Sequence, residues 1–213
     1  MELLSTADTE KRDQKLTRDD WILAAIEALL SGGIEAVRIL KLSNRLEVTR
    51  GSFYWHFDSH DDLLNAILAE WRARNTGVMI DVLRNAKELE DGILNLFSVW
   101  VDHSQFNPHL DQAVRDWARR SPDVHDVVSQ EDDNRVHEIA TFFERQDYPE
   151  TEAFIRARVI YFTQISYFAL GVKEPMEQRF EYLAAYFRTF TGREITPSVA
   201  KAYAARYFQD TSE

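Results

Sequence analysis

The sequence has no cysteine and few helix-breaking residues. With 0 Cys it offers no disulfide framework, no thiolate metal site and no cysteine nucleophile. Only 7 Gly and 5 Pro interrupt its 213 residues. No apolar run approaches the roughly 20 residues that span a bilayer, and residues 1–8 lack the basic start and apolar core of a signal peptide. We therefore expect a cytoplasmic protein with no membrane partner.

Positive charge is scarce over most of the chain. The formal net charge at pH 7 is -11, with 25 Lys or Arg against 36 Asp or Glu. Residues 11–57 are the exception, since they hold 8 Lys or Arg against 6 Asp or Glu, whereas residues 58–213 hold 17 against 27. Because DNA phosphates attract cations, this split favours a small DNA-facing head on a larger acidic body.

Residues 48–57, with the sequence VTRGSFYWHF, would form a helix with an unusual outward face. Phe53 and Phe57 share one side of such a helix. The opposite side carries Gly51, Ser52, Tyr54 and Trp55. A solvent-facing side normally carries Lys, Glu or Gln, so this side suggests a surface that a partner covers. A glycine there is best explained by close approach of the backbone to a partner such as a DNA groove.

Two further short helices are predicted before this stretch. Thr17 and Asp20 have the spacing of a capping box, which marks the start of the first helix, and Gly32–Gly33 end it. A second helix is expected over residues 38–46, and the third begins at about Thr49. Two short helices joined by a tight turn behind a supporting first helix make a helix-turn-helix.

The apolar and aromatic run at residues 46–57 is followed by the sequence DDLL at residues 61–64. In register with the predicted helices, residues 17 to about 64 resemble the DNA-binding domain of TetR-type transcriptional regulators. The resemblance implies a three-helix DNA-binding domain, a larger helical domain that binds a ligand and dimerises, and a regulator that acts on a DNA operator.

By this resemblance the DNA-contacting residues lie in and around the third helix. The expected set is Thr49, Arg50, Gly51, Ser52, Tyr54, Trp55, His56, His60 and Arg38. Arg50 has the chemistry for a bidentate contact with guanine, but it could equally hold a phosphate. His56 falls about 60° from Phe53 on the helical wheel, so packing or capping is the alternative to a phosphate contact.

Two positions depart from the usual pattern of this family. Glu47 occupies the turn before the third helix, where a glycine is common, so a left-handed backbone there would be strained. His60 stands where a lysine commonly starts the fourth helix, and it offers a weaker, pH-dependent phosphate contact. Both departures predict a lower affinity for DNA.

The remainder of the chain predicts helices and no strand. A fourth helix runs to about Asn75, and the later ones are expected at residues 78–89, 92–105, 108–119, 122–146, 150–170, 175–190 and 198–208. The fold class is therefore all-α. The expected domains are a flexible basic arm at 1–16, a helix-turn-helix domain with a connecting fourth helix at 17–75, and an effector-binding and dimerisation domain at 76–213.

The predicted helix at residues 150–170 carries apolar residues on nearly every side, and the next one, at residues 175–190, is equally rich in aromatic residues. Such a helix must be covered all round, and a second copy of the chain is the simplest cover, with a large monomer core as the alternative. The expected interface residues are Phe162, Ile165, Phe168, Tyr182, Tyr186 and Phe190.

Another group of residues suggests a cavity for a small apolar or aromatic effector. The expected lining is Trp100, His103, Arg115, Trp117, Phe143 and Gln164, and for each of these ordinary core packing is the alternative. Asp133 and His137 have a spacing that can hold a metal, but no third ligand follows, so we assign no metal and no cofactor. No catalytic motif stands out either.

These patterns predict a ligand-responsive, homodimeric transcriptional repressor that binds a near-palindromic operator in double-stranded DNA. The alternative is a DNA-binding adaptor whose acidic body engages a protein partner. An aromatic-lined cavity would favour the ligand sensor, and a fully packed body would favour the adaptor. An all-helical enzyme has the least support, so we expect no catalytic activity.

Overall fold

The computed structural model describes residues 16–208, and these residues contain α-helices and no strand. The helices are α1 (Arg18–Gly32), α2 (Ile39–Arg45), α3 (Arg50–Phe53), α4 (His60–Trp71), α5 (Val78–Asn85), α6 (Leu89–Val101), α7 (Pro108–Ala118), α8 (Pro122–Glu144), α9 (Glu150–Ala169), α10 (Met176–Thr191) and α11 (Pro197–Phe208). A short 3-10 helix at Ile34–Ala36 precedes α2, and a π-helical segment at Arg72–Gly77 follows α4. The predicted all-α fold class is confirmed.

The chain divides into two compact units between Ala69 and Glu70, inside α4. We call them the N-terminal unit and the C-terminal unit. The sequence placed the boundary after Asn75. The predicted basic arm at 1–16 lies, except for Leu16, outside the described residues.

Two predicted helix breaks are wrong. Gly77 does not stop a helix, because the chain passes through it in helical conformation from the π-helical segment into α5. Gly92 lies inside α6, and the real break is at residues 86–88. A Cβ atom at Gly92 would lie 2.0 Å from the Phe142 ring. This glycine therefore permits close packing of α6 against α8 instead of ending a helix.

The N-terminal unit is built on a capped first helix and an aromatic core. The predicted capping box is present, since the Thr17 hydroxyl accepts a hydrogen bond from the Asp20 amide and the Asp20 carboxylate accepts one from the Thr17 amide at 2.7 Å. The Thr17 backbone and hydroxyl donors hold the pKa of Asp20 below its usual range. The Trp21 ring meets Phe53 edge-on at 5.3 Å, and Phe53 stacks on Phe57 at 5.1 Å.

The C-terminal unit has its own hydrophobic core, built from α5, α6 and the helices α8 to α11. Its fully buried side chains include Ile93, Leu96, Ile139, Phe142, Phe143 and Phe187. Apart from His103, the predicted ligand-binding and dimer-interface residues lie on helices that also contribute buried residues. Packing of these helices therefore decides which of the predicted side chains remain accessible to a partner.

Charged side chains are buried beside that core. Arg135 Nη1 lies 3.1 Å from Asp111 Oδ1, and neither side chain has exposed area. Arg115 Nε lies 2.7 Å from Asp111 Oδ2 and its guanidinium also pairs with Asp132 at 2.6 Å. The Trp71 indole donates to Asp111 at 2.9 Å. Burial raises the pKa of Asp111, but the Arg135 and Arg115 guanidiniums outweigh this and hold the pKa below its usual range.

Candidate nucleic-acid interface and effector cavity

The third helix is shorter than the sequence predicted. Thr49 is its N-cap residue, and regular helix covers only Arg50–Phe53. The chain then turns, with the His56 and Phe57 amides both donating to the Phe53 carbonyl at 2.9 and 3.1 Å. The turn still places Phe53 and Phe57 on the same buried side, since they are 0% and 2% exposed, as the helical pattern predicted.

The outward side of α3 and its turn faces solvent. Trp55 is 86% exposed and Tyr54 56% exposed, which is unusual for aromatic residues. Thr49, Arg50 and Gly51 are exposed as well, whereas Ser52 and His56 are half-buried. Within residues 16–208 the Arg50 guanidinium has neither an ion pair nor a hydrogen-bond partner. We call residues 49–55 the recognition segment.

No contact within residues 16–208 requires a glycine at position 51. A Cβ atom added there would meet the Thr49 Oγ1 at 3.6 Å, an ordinary van der Waals contact, and its backbone φ is not positive. Since glycine lowers helix stability relative to alanine, helix formation does not favour a glycine at this position.

Glu47 has the left-handed backbone expected for the turn between α2 and α3, with φ at 57°. A residue other than glycine is strained in that conformation because its Cβ atom clashes with the backbone. Its side chain is exposed, two residues before the recognition segment. The turn therefore carries both a strained backbone and a carboxylate.

His60 and Arg38 are the predicted DNA contacts whose polar groups already have partners within the chain. His60 Nε2 lies 2.8 Å from the Val37 carbonyl oxygen, which leaves only Nδ1 for another contact. Arg38 is the N-cap of α2, and its Nη2 pairs with Glu35 at 3.0 Å while 62% of its side chain stays exposed. Arg38 can therefore reach a partner only in competition with Glu35.

Lys41 is an exposed cation on α2 that the predicted set omitted. The sequence did hold a signal for it. The positions three and four residues away are Val37, Arg38, Asn44 and Arg45, so no carboxylate is spaced to pair with it along the helix.

Residues 22–67 match the family model for bacterial regulatory proteins of the tetR family. The helix-turn-helix segment of this chain is therefore similar in sequence to that of TetR-family regulators. The chain is 35% identical over 57 residues to TtgW of Pseudomonas putida, an uncharacterized helix-turn-helix-type transcriptional regulator. That alignment covers 27% of this chain and 42% of the relative, so it spans less than half the length of the curated protein.

Solved structures extend the likeness in fold to about nine tenths of this chain. A transcriptional regulator from Rhodococcus sp. Rha1 has a TM-score of 0.59 at 13% identity, covering 91% of this chain and 97% of its own. Reduced NemR of Escherichia coli has a TM-score of 0.56 at 15% identity, covering 90% and 96%. At these identities the likeness concerns the fold alone, a helix-turn-helix domain followed by a larger helical domain.

The C-terminal unit contains a cavity of about 110 Å³ among α6, α9, α10 and α11. It is partly open to solvent, and seven of its 15 lining residues are aromatic. Of the predicted lining, Trp100 and Gln164 border it. Its other aromatic walls include Tyr167, Phe180, Tyr186 and Tyr203, which the sequence analysis did not assign to a ligand site.

The other predicted ligand residues lie elsewhere. Phe143 is 0% and Trp117 6% exposed, so both are packing residues. Arg115 is held by Asp111 and Asp132, which leaves its guanidinium committed to the buried ion pairs. His103 is exposed in the turn after α6 and lies 6.5 Å from the His109 ring. The helical pattern could not separate Phe143 and Trp117 from cavity walls because both kinds of residue are apolar and inward-facing.

Three of the predicted interface residues are exposed and three are not. Phe162, Tyr182 and Tyr186 are 40%, 39% and 37% exposed. Phe190 is buried at 7%, while Ile165 and Phe168 are partly buried against the core, which explains part of the apolar pattern without a second copy. Instead, α9 exposes three apolar residues that the set omitted, namely Phe154, Ile155 and Val159.

No helix within residues 16–208 is long and apolar enough to cross a membrane. Asp133 and His137, which share a metal-compatible spacing, are both exposed on α8. Over the same described part of the chain, no three His, Asp or Glu residues are grouped so that they could hold a metal ion.

Proposed function

We propose that the protein is a homodimeric, ligand-responsive transcriptional repressor that binds a near-palindromic DNA operator. The observation that carries this proposal is the recognition segment. It exposes two aromatic rings and an arginine that has no partner among the described residues, and no contact of that part of the chain requires its glycine. All of these residues lie within a TetR-type helix-turn-helix domain.

In this proposal Arg50 reads the DNA sequence. Its free guanidinium at the start of α3 can form two parallel hydrogen bonds with guanine O6 and N7, or hold a phosphate. Gly51 lets the backbone approach the groove, and the Tyr54 hydroxyl donates to a phosphate. Lys41 adds a second unpaired cation for the phosphate backbone.

Dimerisation rests on the exposed side of α9 and α10. Ile155, Val159 and Phe162 follow one another at helical spacing, so they form one apolar stripe, and all three are at least 40% exposed. Tyr182 and Tyr186 extend the apolar surface on α10. A stripe of this kind favours a helix-pair interface with a second copy, which would present two recognition segments to a two-fold operator.

The aromatic cavity favours a ligand sensor over an adaptor that binds a protein. A fully packed C-terminal unit would have supported the adaptor. At about 110 Å³ the cavity is smaller than the pockets that hold drug-sized ligands. The effector is therefore a small molecule, and binding it changes the affinity for the operator.

Selection of DNA from a random pool tests this function. The purified full chain should enrich one near-palindromic sequence with two half-sites, and addition of a metabolite extract should reduce that binding. Failure to enrich any sequence contradicts sequence-specific DNA binding. Enrichment of a single half-site contradicts the dimer, and binding that no extract changes contradicts the ligand response.

A matched pair of variants tests the dimer separately. Val159→Glu places a charge in the α9 stripe and should produce a monomer in analytical ultracentrifugation, with weaker operator binding. Leu23→Glu changes a similarly exposed residue on α1 and should leave the mass unchanged. A dimer that survives Val159→Glu would move the interface away from α9.

A further inference from the structure

Two charged residues, Glu174 and Arg179, line the cavity of the C-terminal unit, and they differ in their hydrogen-bond partners. They determine what kind of molecule the cavity can hold. The inference drawn from them specifies the effector class and therefore rests on the proposed ligand response.

Glu174 already has a hydrogen-bond donor. The Tyr167 hydroxyl donates to its carboxylate Oε2. Burial and this hydrogen bond raise the pKa of Tyr167 to about 12, so the hydroxyl keeps its proton at neutral pH. The Glu174 charge is thus partly satisfied within the chain.

Arg179 lacks an acceptor. Its Nε is buried and has no hydrogen-bond partner, and the guanidinium forms no ion pair with any residue between 16 and 208. The guanidinium lies over the face of the Tyr167 ring, 5.3 Å from the ring centroid. A buried donor without an acceptor is unfavourable and calls for a partner. A planar guanidinium is best matched by a carboxylate.

The size and walls of the cavity limit the rest of the molecule. An apolar cavity of about 150 Å³ holds one benzene ring, and this cavity is of the same order at about 110 Å³ and opens to the surface. Trp100, Phe180 and Tyr203 are among its aromatic walls, and such walls stack against a flat ring. A single aromatic ring is therefore the size of group that this cavity suits.

We propose that this cavity binds a small monocyclic aromatic carboxylate, with Arg179 holding the carboxylate and the aromatic walls holding the ring. A cationic aromatic amine is the opposite choice, because it would have to take Glu174 away from Tyr167. The hydrogen bonds within the described residues favour the carboxylate, since Glu174 already accepts a hydrogen bond from Tyr167 whereas Arg179 Nε has no acceptor.

Isothermal titration of the full chain with three probes of equal size tests this proposal. Benzoate is the anionic probe, benzamide the neutral one and benzylamine the cationic one. We expect benzoate to bind about ten- to hundredfold more tightly than benzamide, and benzylamine not to bind. In Arg179→Gln the preference for benzoate should disappear while binding of benzamide is unchanged.

Arg188→Gln is the matched control, because Arg188 lies on the same helix but is 64% exposed and pairs with Glu194 outside the cavity. It should bind benzoate as the parent does. Equal affinity for benzoate and benzamide, tighter binding of benzylamine, or unchanged benzoate binding in Arg179→Gln would each overturn the proposal. Circular dichroism establishes that both variants are folded.

The titration contains no DNA, so its result is independent of the regulatory role. If benzoate binds through Arg179 but leaves operator affinity unchanged, the proposed ligand response fails and the aromatic-acid site stands. If an extract releases the operator while benzoate does not bind, the ligand response stands and the assignment of an aromatic carboxylate is wrong.

Discussion

Arg50 in the N-terminal unit and Arg135 in the C-terminal unit have opposite environments. Arg50 is exposed and its guanidinium has no partner within the described residues 16–208. Arg135 has no exposed side-chain area and contacts Asp111 at 3.1 Å. Trp55 of the N-terminal unit and Trp71 of the C-terminal unit differ in the same way, since Trp55 is 86% exposed and Trp71 is 0% exposed.

This difference separates residues that hold the fold from residues available to a partner. A charge can be buried only when it is paired, so removing one member of such a pair destabilises the protein. An exposed unpaired charge contributes little to stability, so its loss should affect binding alone. The two regions should therefore respond in opposite ways to substitution.

The largest expected effect on stability comes from Asp111→Asn. The substitution leaves the buried Arg135 without its anion and should lower the free energy of unfolding by about 3–5 kcal/mol in urea denaturation. Asp116→Asn is the control, because Asp116 is exposed and pairs only with Arg119 on the surface. It should change stability by less than about 1 kcal/mol. Similar losses in both variants would remove the special role of the buried pair.

The same carboxylate predicts a pH dependence. Since the folded-state pKa of Asp111 lies below its usual value of 3.8, its stabilisation is present above that value and is lost as pH falls through the lower folded-state pKa. The parent protein should lose stability as the pH is lowered from about 4, which is close to the ordinary pKa of an aspartate. Asp111→Asn should lose less over that interval, as measured by urea unfolding at each pH.

Arg50→Ala should affect DNA binding and leave stability unchanged. Loss of a bidentate base contact should lower discrimination between the selected operator and random DNA by about 1–3 kcal/mol. Arg45→Ala removes a neighbouring cation that is paired with Glu27, and should have a smaller effect. Fluorescence anisotropy with both DNAs measures this. Equal loss on both would assign Arg50 to a phosphate.

Glu47 combines a stability effect and a binding effect that two variants can separate. Glu47→Gly relieves the left-handed strain and should stabilise the protein by about 1 kcal/mol, and it also removes a carboxylate near the DNA. Glu47→Gln removes the charge but keeps the strain. Both should bind DNA more tightly, and only the glycine should raise the melting temperature. A glycine variant without added stability would contradict the strain.

Gly51→Ala should have a small effect on stability, and its effects on folding and on binding should be opposite. Alanine fits without a clash, since its Cβ would meet Thr49 at 3.6 Å, and it should stabilise α3 by about 0.5–1 kcal/mol. The added methyl group should nevertheless weaken operator binding. Binding as tight as that of the parent would remove the need for close backbone approach at this position.

Much of the fold could be predicted because its signals are local. Thr17 and Asp20 lie three residues apart, so the capping box is visible in the sequence and present in the structure. Phe53 and Phe57 are buried as their helical spacing predicted. Gly92 was misread as a break because its close contact is with Phe142, 50 residues away and on another helix.

The ligand site was predicted less well because it depends on distant contacts. Arg115 and Arg179 are both arginines on helices of the C-terminal unit, and sequence alone favoured Arg115. Only the packing of α7 against α8 gives Arg115 a second carboxylate, Asp132, whereas Arg179 remains unpaired beside the cavity.

By itself, the sequence determined the all-α fold class, the helix-turn-helix and the recognition segment, because capping, helical periodicity and the aromatic run act over a few residues. Only the tertiary structure decided which inward-facing aromatic and charged side chains pack and which line a cavity. Helical periodicity specifies that a side chain points inward, but whether it finds a partner there depends on residues brought close by the fold.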